Sequence, residues 1–188
     1  IGRAGVGVDN VDLDAATDAG VLVMNTPGGN AVSVAEHTVA LMLAMARSIP
    51  QASASTKAGK WEKKKFLGNE LRSKTIGIIG LGSIGREVAR RARGFETRMV
   101  AMDPYVSSQT AADLGIELVS LNQLYKEADY ITLHMALTPE TQGMINDAAI
   151  GKMKQGVRIV NCARGELIDP AALAKGLESG KVGGAALD

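Results

Sequence analysis

The chain has 188 residues, a length that fits one compact domain with at most pieces of a second. Its 21 basic and 20 acidic side chains leave a formal net charge of +1, and aromatic residues make up only 3%, so neither the basic footprint nor the stacking platform of a nucleic-acid binder is expected. Hydrophobic residues at 46% exclude a disordered chain, the single Cys162 excludes an internal disulfide and suggests a reducing, cytoplasmic setting, and no apolar run reaches the ~18 residues of a membrane helix.

The chain opens at Ile1 inside an Ile-Gly-Arg-Ala-Gly run and stops at Asp188 directly after an apolar segment, as expected of an internal piece of a longer protein. In chain order, residues 21–24 form the first short β-leaning run. Residues 33–47 read as a long, largely buried helix, with Ser33 and Glu36 at the spacing of a capping box. Residues 57–74 are basic and carry Trp61, Lys63, Lys64 and Lys65, the pattern of a solvated surface arm. Further β-runs follow at 75–80, 98–102, 130–133, 157–161 and 182–187. Most are continuous rather than alternating, as in strands buried on both faces of a parallel sheet. Helical patterns separate them at 84–93, 121–128 and 170–179, the last with Asp169 as N-cap and Pro170 at the first helical position. The alternation predicts right-handed βαβ units and a doubly wound, parallel α/β sheet of the Rossmann type.

Thr75-Ile-Gly-Ile-Ile-Gly80-Leu-Gly82-Ser-Ile-Gly85 carries the strongest local signal. Gly-x-Gly-x-x-Gly alone is weak, but here a β-run precedes it and an amphipathic helix follows. In that setting Gly80 permits the tight turn, Gly82 admits a pyrophosphate, and Gly85 lets helix and strand pack closely. Asp103 closes the 98–102 run, where an acid accepts hydrogen bonds from the adenosine ribose. A carboxylate there would repel a 2′-phosphate, which favours NAD over NADP. His134 and the segment Asn161-Cys162-Ala163-Arg164-Gly165 also follow strand ends and are expected at the same crevice. Arg164 is suited to hold a carboxylate through two parallel hydrogen bonds, the plainer alternative being an ion pair with Glu166 or Asp169.

Gly80-Leu-Gly-Ser-Ile-Gly85, Asp103-Pro104, Asn161-Cys-Ala-Arg-Gly165 and Ala185-Ala-Leu-Asp188 resemble the D-isomer-specific 2-hydroxyacid dehydrogenases over essentially the whole chain. Gly2-Arg-Ala-Gly-Val-Gly-Val-Asp-Asn10 and Lys60-Trp-Glu-Lys-Lys-Lys-Phe66 are similar to the members acting on 3-phosphoglycerate. The resemblance implies a two-domain subunit, with residues 1–25 a remnant leading from the substrate domain and residues 26–188 the NAD-binding domain. It implies cofactor contacts at Val6, Gly80, Gly82, Ser83, Ile84, Gly85, Asp103, Met135, Cys162, Ala163, Arg164 and Asp188, and no metal. Arg164 also falls on the catalytic arginine that holds the substrate carboxylate. The long helix and the Trp61 arm match a dimerisation segment, implying a homodimer or higher homo-oligomer. The lysines near Trp61, with Arg3, match weakly a place for a substrate phosphate.

Ala136 departs from the family, which often has proline there. The family's base histidine and its glutamate partner are implied beyond Asp188, so this chain is expected to be inactive alone. His37 reads as structural, and the resemblance gives His134 no base role. Two other readings remain open at this point: an NAD(H)-sensing corepressor-type interaction module, and a related reductase acting on glyoxylate, hydroxypyruvate or lactate.

Overall fold

The computed structural model describes residues 1–188, and its centre is a six-stranded sheet in which all neighbouring strands run parallel. The elements are α1 (Leu13–Asp18), α2 (Ala31–Ala46), α3 (Ile49–Lys57), β1 (Thr75–Ile79), α4 (Ser83–Ala92), β2 (Arg98–Met102), α5 (Ser108–Asp113), β3 (Glu117–Leu118), α6 (Leu121–Glu127), β4 (Tyr130–Leu133), α7 (Asp147–Lys152), β5 (Val157–Asn161), α8 (Pro170–Glu178) and β6 (Val182–Leu187). Their spatial order is β3-β2-β1-β4-β5-β6. The order reverses between β1 and β4, which opens a crevice at the carboxyl ends of those strands.

Continuous apolar runs form these strands because both sheet faces are covered. On one face, Ile79, Val100, Ile131, Leu133 and Ile159 pack against Leu124 of α6, Ile150 of α7 and Leu173 of α8. On the other, Ile76, Ile78, Ala101 and Val160 meet Val39 and Met42 of α2 and Val88 and Ala89 of α4. Successive strand residues alternate between the two clusters, which is the period-two geometry of a pleated strand. Gly77 in the middle of β1 lets α6 approach closely, since a Cβ there would lie 2.7 Å from Leu124 and 2.9 Å from Ala128.

Three expectations are corrected. Residues 21–24 form no strand: only Met24 is bridged, to Gly2. Val21, Leu22 and Met24 are exposed, and β-propensity without a neighbouring ladder does not make a strand. Helix α2 begins at Ala31, so Ser33 lies inside its first turn and cannot cap it. Glu36 instead reaches across to Arg91 of α4 at 3.2 Å. Four helices (α1, α3, α5 and α7) and the two-residue β3 were not expected, because their apolar residues show no clear period. Residues 57–74 hold the end of α3 and a single 3-10 turn at Lys63–Phe66, with Trp61 85% exposed. No single helix is long and apolar enough to cross a membrane.

Candidate active site

The glycine loop joins β1 to α4. Gly80 has φ +95°, and a Cβ on it would lie 2.7 Å from the His134 carbonyl oxygen. Its N–H donates to Met102 O at 2.9 Å, which ties the loop to β2. Gly82 is the N-cap residue of α4 and has open space where a side chain would stand. Gly85 has none, because a Cβ would collide with the Gly80 carbonyl oxygen. The loop is braced by Arg86, whose Nε donates to Leu81 O at 2.9 Å. Unpaired N–H groups at the start of α4 therefore face open space, the arrangement that receives a phosphate.

Asp103 stands at the end of β2 with its carboxylate fixed from two sides. Oδ2 accepts from Leu81 N at 2.7 Å and Oδ1 from Tyr105 N at 2.8 Å. Each oxygen keeps a further lone pair, enough to accept from two ribose hydroxyls.

A cavity of about 900 Å³ opens beside the loop. Val6, Gly82, Ser83, Ile84, Met135, Cys162, Ala163 and Arg164 all line it, so residues far apart in sequence meet there. Gly80 and Gly85 do not line it. Asp103 and Asp188 are outside its lining. Asp188 instead borders a second cavity of about 470 Å³, and His37 Nε2 lies 3.8 Å from its carboxylate. Arg3 lines the main cavity, but none of Lys63, Lys64 and Lys65 does. Lys65 pairs with Glu62 on the exposed 3-10 turn, so within this chain the lysines do not reach the cavity.

Arg164 is held by a partner the sequence reading did not name. Its Nε donates to Asp9 Oδ2 at 2.9 Å, its Nη2 to Asp9 Oδ1 at 2.7 Å and its Nη1 to Ala163 O at 2.8 Å. The Arg164 guanidinium holds the Asp9 carboxyl below its usual range, and Asp9 raises Arg164 in turn. Neither Glu166 nor Asp169 takes the pair: Asp169 caps α8, accepting from Ala171 and Ala172 N–H. Asp9 lies 155 positions away and carries no local signal for this role.

Two asparagines complete the site. Asn161, 3% exposed, accepts from Ala163 N at 3.0 Å and donates to Arg164 O at 2.7 Å, fixing the loop that presents Arg164. Its motif position was visible, but its role as a brace needed the loop's shape. Asn30 lines the cavity, and its Oδ1 is buried without a partner in the chain. A buried acceptor in this state is open to a donor from outside the chain.

His134 also lines the cavity, with Nε2 2.9 Å from Thr132 Oγ1. Burial pushes its pKa down from 6.5 to about 4, so it is neutral at neutral pH. A histidine lowered on folding binds fewer protons folded than unfolded between those values. Stability is therefore full above the unfolded pKa and falls as pH drops through the window, by up to about 3 kcal/mol. His134→Gln should flatten that dependence. The check is the urea midpoint of both proteins from neutral pH down to about pH 4.5, inside the window that the unfolded reference sets. Parallel curves would rule the account out.

A sheet ordered about a switch point, a glycine turn that tolerates no Cβ at Gly85 and an anchored acid after β2 together define a dinucleotide-binding domain. Residues 39–188 match the family profile "D-isomer specific 2-hydroxyacid dehydrogenase, NAD binding domain", and the chain belongs to that family. It is 53% identical over all 188 residues to D-3-phosphoglycerate dehydrogenase of Rattus norvegicus and 54% identical to that of Archaeoglobus fulgidus, spanning 35% and 36% of those proteins. Among solved structures, D-lactate dehydrogenase from Aquifex aeolicus complexed with NAD and lactic acid is 36% identical with TM-score 0.92. It is matched by all of this chain over 56% of its own length. NAD-dependent formate dehydrogenase from Staphylococcus aureus in complex with NAD gives 36%, 0.91 and the same coverages. The chain thus spans about a third of the curated relatives it matches, and NAD is its cofactor.

Proposed function

We propose that the full-length protein carrying this chain oxidises D-3-phosphoglycerate to 3-phosphohydroxypyruvate with NAD, the entry step to serine synthesis. What supports this substrate above others is the identity of 53% over all 188 residues with a relative of that name. Residues 26–188 would be the NAD-binding domain and residues 1–25 a strip of the substrate domain that brings Val6 and Asp9 to the cavity. The oligomer would be built on α2 and the exposed Trp61 arm.

Bound NAD supplies the hydride acceptor. The chain's own residues would hold and orient it: the α4 N-terminus would take the pyrophosphate, Asp103 would accept from the ribose, and Val6, Ile84 and Met135 would wall it in. Cys162 and Ala163 would add to that wall, while Asp188, which borders the second cavity, would meet the cofactor only where it extends beyond the first. Arg164 holds the substrate carboxylate, and Arg3 is the cation in this chain nearest to hand for a phosphate. The base that takes the hydroxyl proton would lie beyond residue 188. His134 is unsuited to it, being pushed down to about 4 and engaged by Thr132.

A second reading is a related D-2-hydroxyacid reductase. It is favoured by the likeness to a glyoxylate reductase structure from Paecilomyes thermophila, 41% identical with TM-score 0.89 over 98% of this chain. Comparing turnover of 3-phosphoglycerate, glyoxylate and lactate by the full-length protein separates the two. A preference for either unphosphorylated acid would overturn the first reading.

Calorimetric titration tests the cofactor site on the chain itself. NADH should bind saturably and NADPH more weakly. Asp103→Ala should weaken NADH by about 10- to 100-fold, the worth of hydrogen bonds to a charged group. Unchanged NADH affinity in that variant would remove Asp103 from the site.

A further inference from the structure

We propose that Asp9 is a positioning residue for the reaction, occupying one fork of Arg164 so that a 2-hydroxy acid meets only the remaining one. This rests on the dehydrogenase reading above. A guanidinium has five N–H groups. In Arg164 the Nε–H and one Nη2–H go to Asp9, and one Nη1–H goes to Ala163 O. Two N–H groups are left, one on each terminal nitrogen, and that pair is what a carboxylate can bridge.

The arrangement is built from both ends of the chain. Asp9 comes from the loop before α1, and Arg164 from the loop after β5. Gly7 leaves room for the guanidinium, since a Cβ there would collide with Arg164 Nη2. Asn161 fixes the backbone of Ala163 and Arg164 from behind. Both charged partners line the cavity, as do Arg3 and Asp14, while Glu166 lies outside it.

Asp9 has two opposed effects on a substrate carboxylate. Its charge partly cancels that of Arg164, which weakens attraction for any anion. Its hydrogen bonds remove the competing fork, so the carboxylate has one register. Without Asp9 a carboxylate could engage either edge of the guanidinium, and only one of those would leave the carbinol carbon placed for hydride transfer to NAD held in the cavity. Affinity for plain carboxylates should hold or rise while turnover falls. A merely structural role for Asp9 would not split the two in that way.

The test uses the full-length protein as wild type, Asp9→Ala and Asp9→Asn. It reads kcat and KM for the preferred 2-hydroxy acid, inhibition by oxalate as a non-reacting carboxylate, and NADH binding by fluorescence. Asp9→Ala should lose about 10- to 100-fold in kcat, the cost of a misplaced reactant. Oxalate should bind it no more weakly than wild type, and NADH affinity should be unchanged. Asp9→Asn keeps one acceptor for Arg164 and should recover part of the turnover. Unchanged kcat in Asp9→Ala, or a proportional loss of oxalate and NADH binding, would overturn the role given to Asp9. A wild type that oxidises no 2-hydroxy acid would instead overturn the dehydrogenase reading, and this inference with it.

Discussion

Gly85→Ala is expected to abolish saturable NADH binding and to lower the stability of the chain by about 1–3 kcal/mol, the usual cost of overpacking. The added methyl would be driven into the Gly80 carbonyl oxygen, which is backbone and cannot rotate away. Relief requires α4 to move off β1. That movement opens the contact of Val88 and Ala89 with the sheet, both now fully enclosed. It also carries the N-terminus of α4 away from where a pyrophosphate would lie. Gly82→Ala makes the contrast. Its Cβ meets nothing within 4 Å in the chain, so stability should be preserved while NADH binding is lost to the occupied space. Urea midpoints and calorimetry on the two variants check both halves. Wild-type NADH affinity in Gly85→Ala would show that the loop does not need the close approach.

The contrast between these glycines also shows which parts of the site were open to inspection in the sequence. Gly80, Gly82 and Gly85 could be given separate duties because a fixed spacing between a strand and a helix leaves little freedom, and the folded loop keeps those duties apart. The sheet was legible for a related reason: β1, β4 and β5 are covered on both faces, so each is mostly apolar without strict alternation, with Thr132 and Arg158 as interruptions. Residues 21–24 read the same way and failed, because nothing in a run says whether a neighbouring strand exists. Ser33 and Glu36 had the capping spacing, but the helix starts two residues earlier, and Glu36 reaches toward Arg91 on α4 instead. Three of the missed short helices did carry a signal, and in α1 it is Asp12, which accepts from Ala15 N. Ser107 and Asn146 accept from Thr110 N and Ala149 N at the starts of α5 and α7, and each is a good N-cap residue. Asp9 could not have been found at all by local pattern, since its meaning lies in a residue 155 positions away.

Arg164→Lys should lower kcat/KM of the full-length protein for its 2-hydroxy acid by about 100- to 1,000-fold, the range seen when a reacting group loses its placed donors. Lysine keeps the charge, so charge alone is not being tested. What it loses is geometry. A guanidinium can satisfy both oxygens of Asp9, the Ala163 carbonyl and a substrate carboxylate at once, whereas an ammonium is a point charge with three donors. In the variant Asp9 is no longer engaged by two parallel bonds, and its carboxyl returns toward its ordinary value of 3.8. At neutral pH it is still ionised, and it now stands as a second anion on the cavity wall. The substrate therefore loses a fork and faces a carboxylate no longer tied down by two parallel bonds. Adding Asp9→Asn to Arg164→Lys removes that carboxylate and should recover part of the KM, but little of the kcat, because no fork is restored. NADH affinity should fall less than turnover in both, since the glycine loop and Asp103 are untouched. Steady-state kinetics of the single and double variants decide the matter: a lysine that sustains wild-type kcat would mean that Arg164 supplies charge and not register.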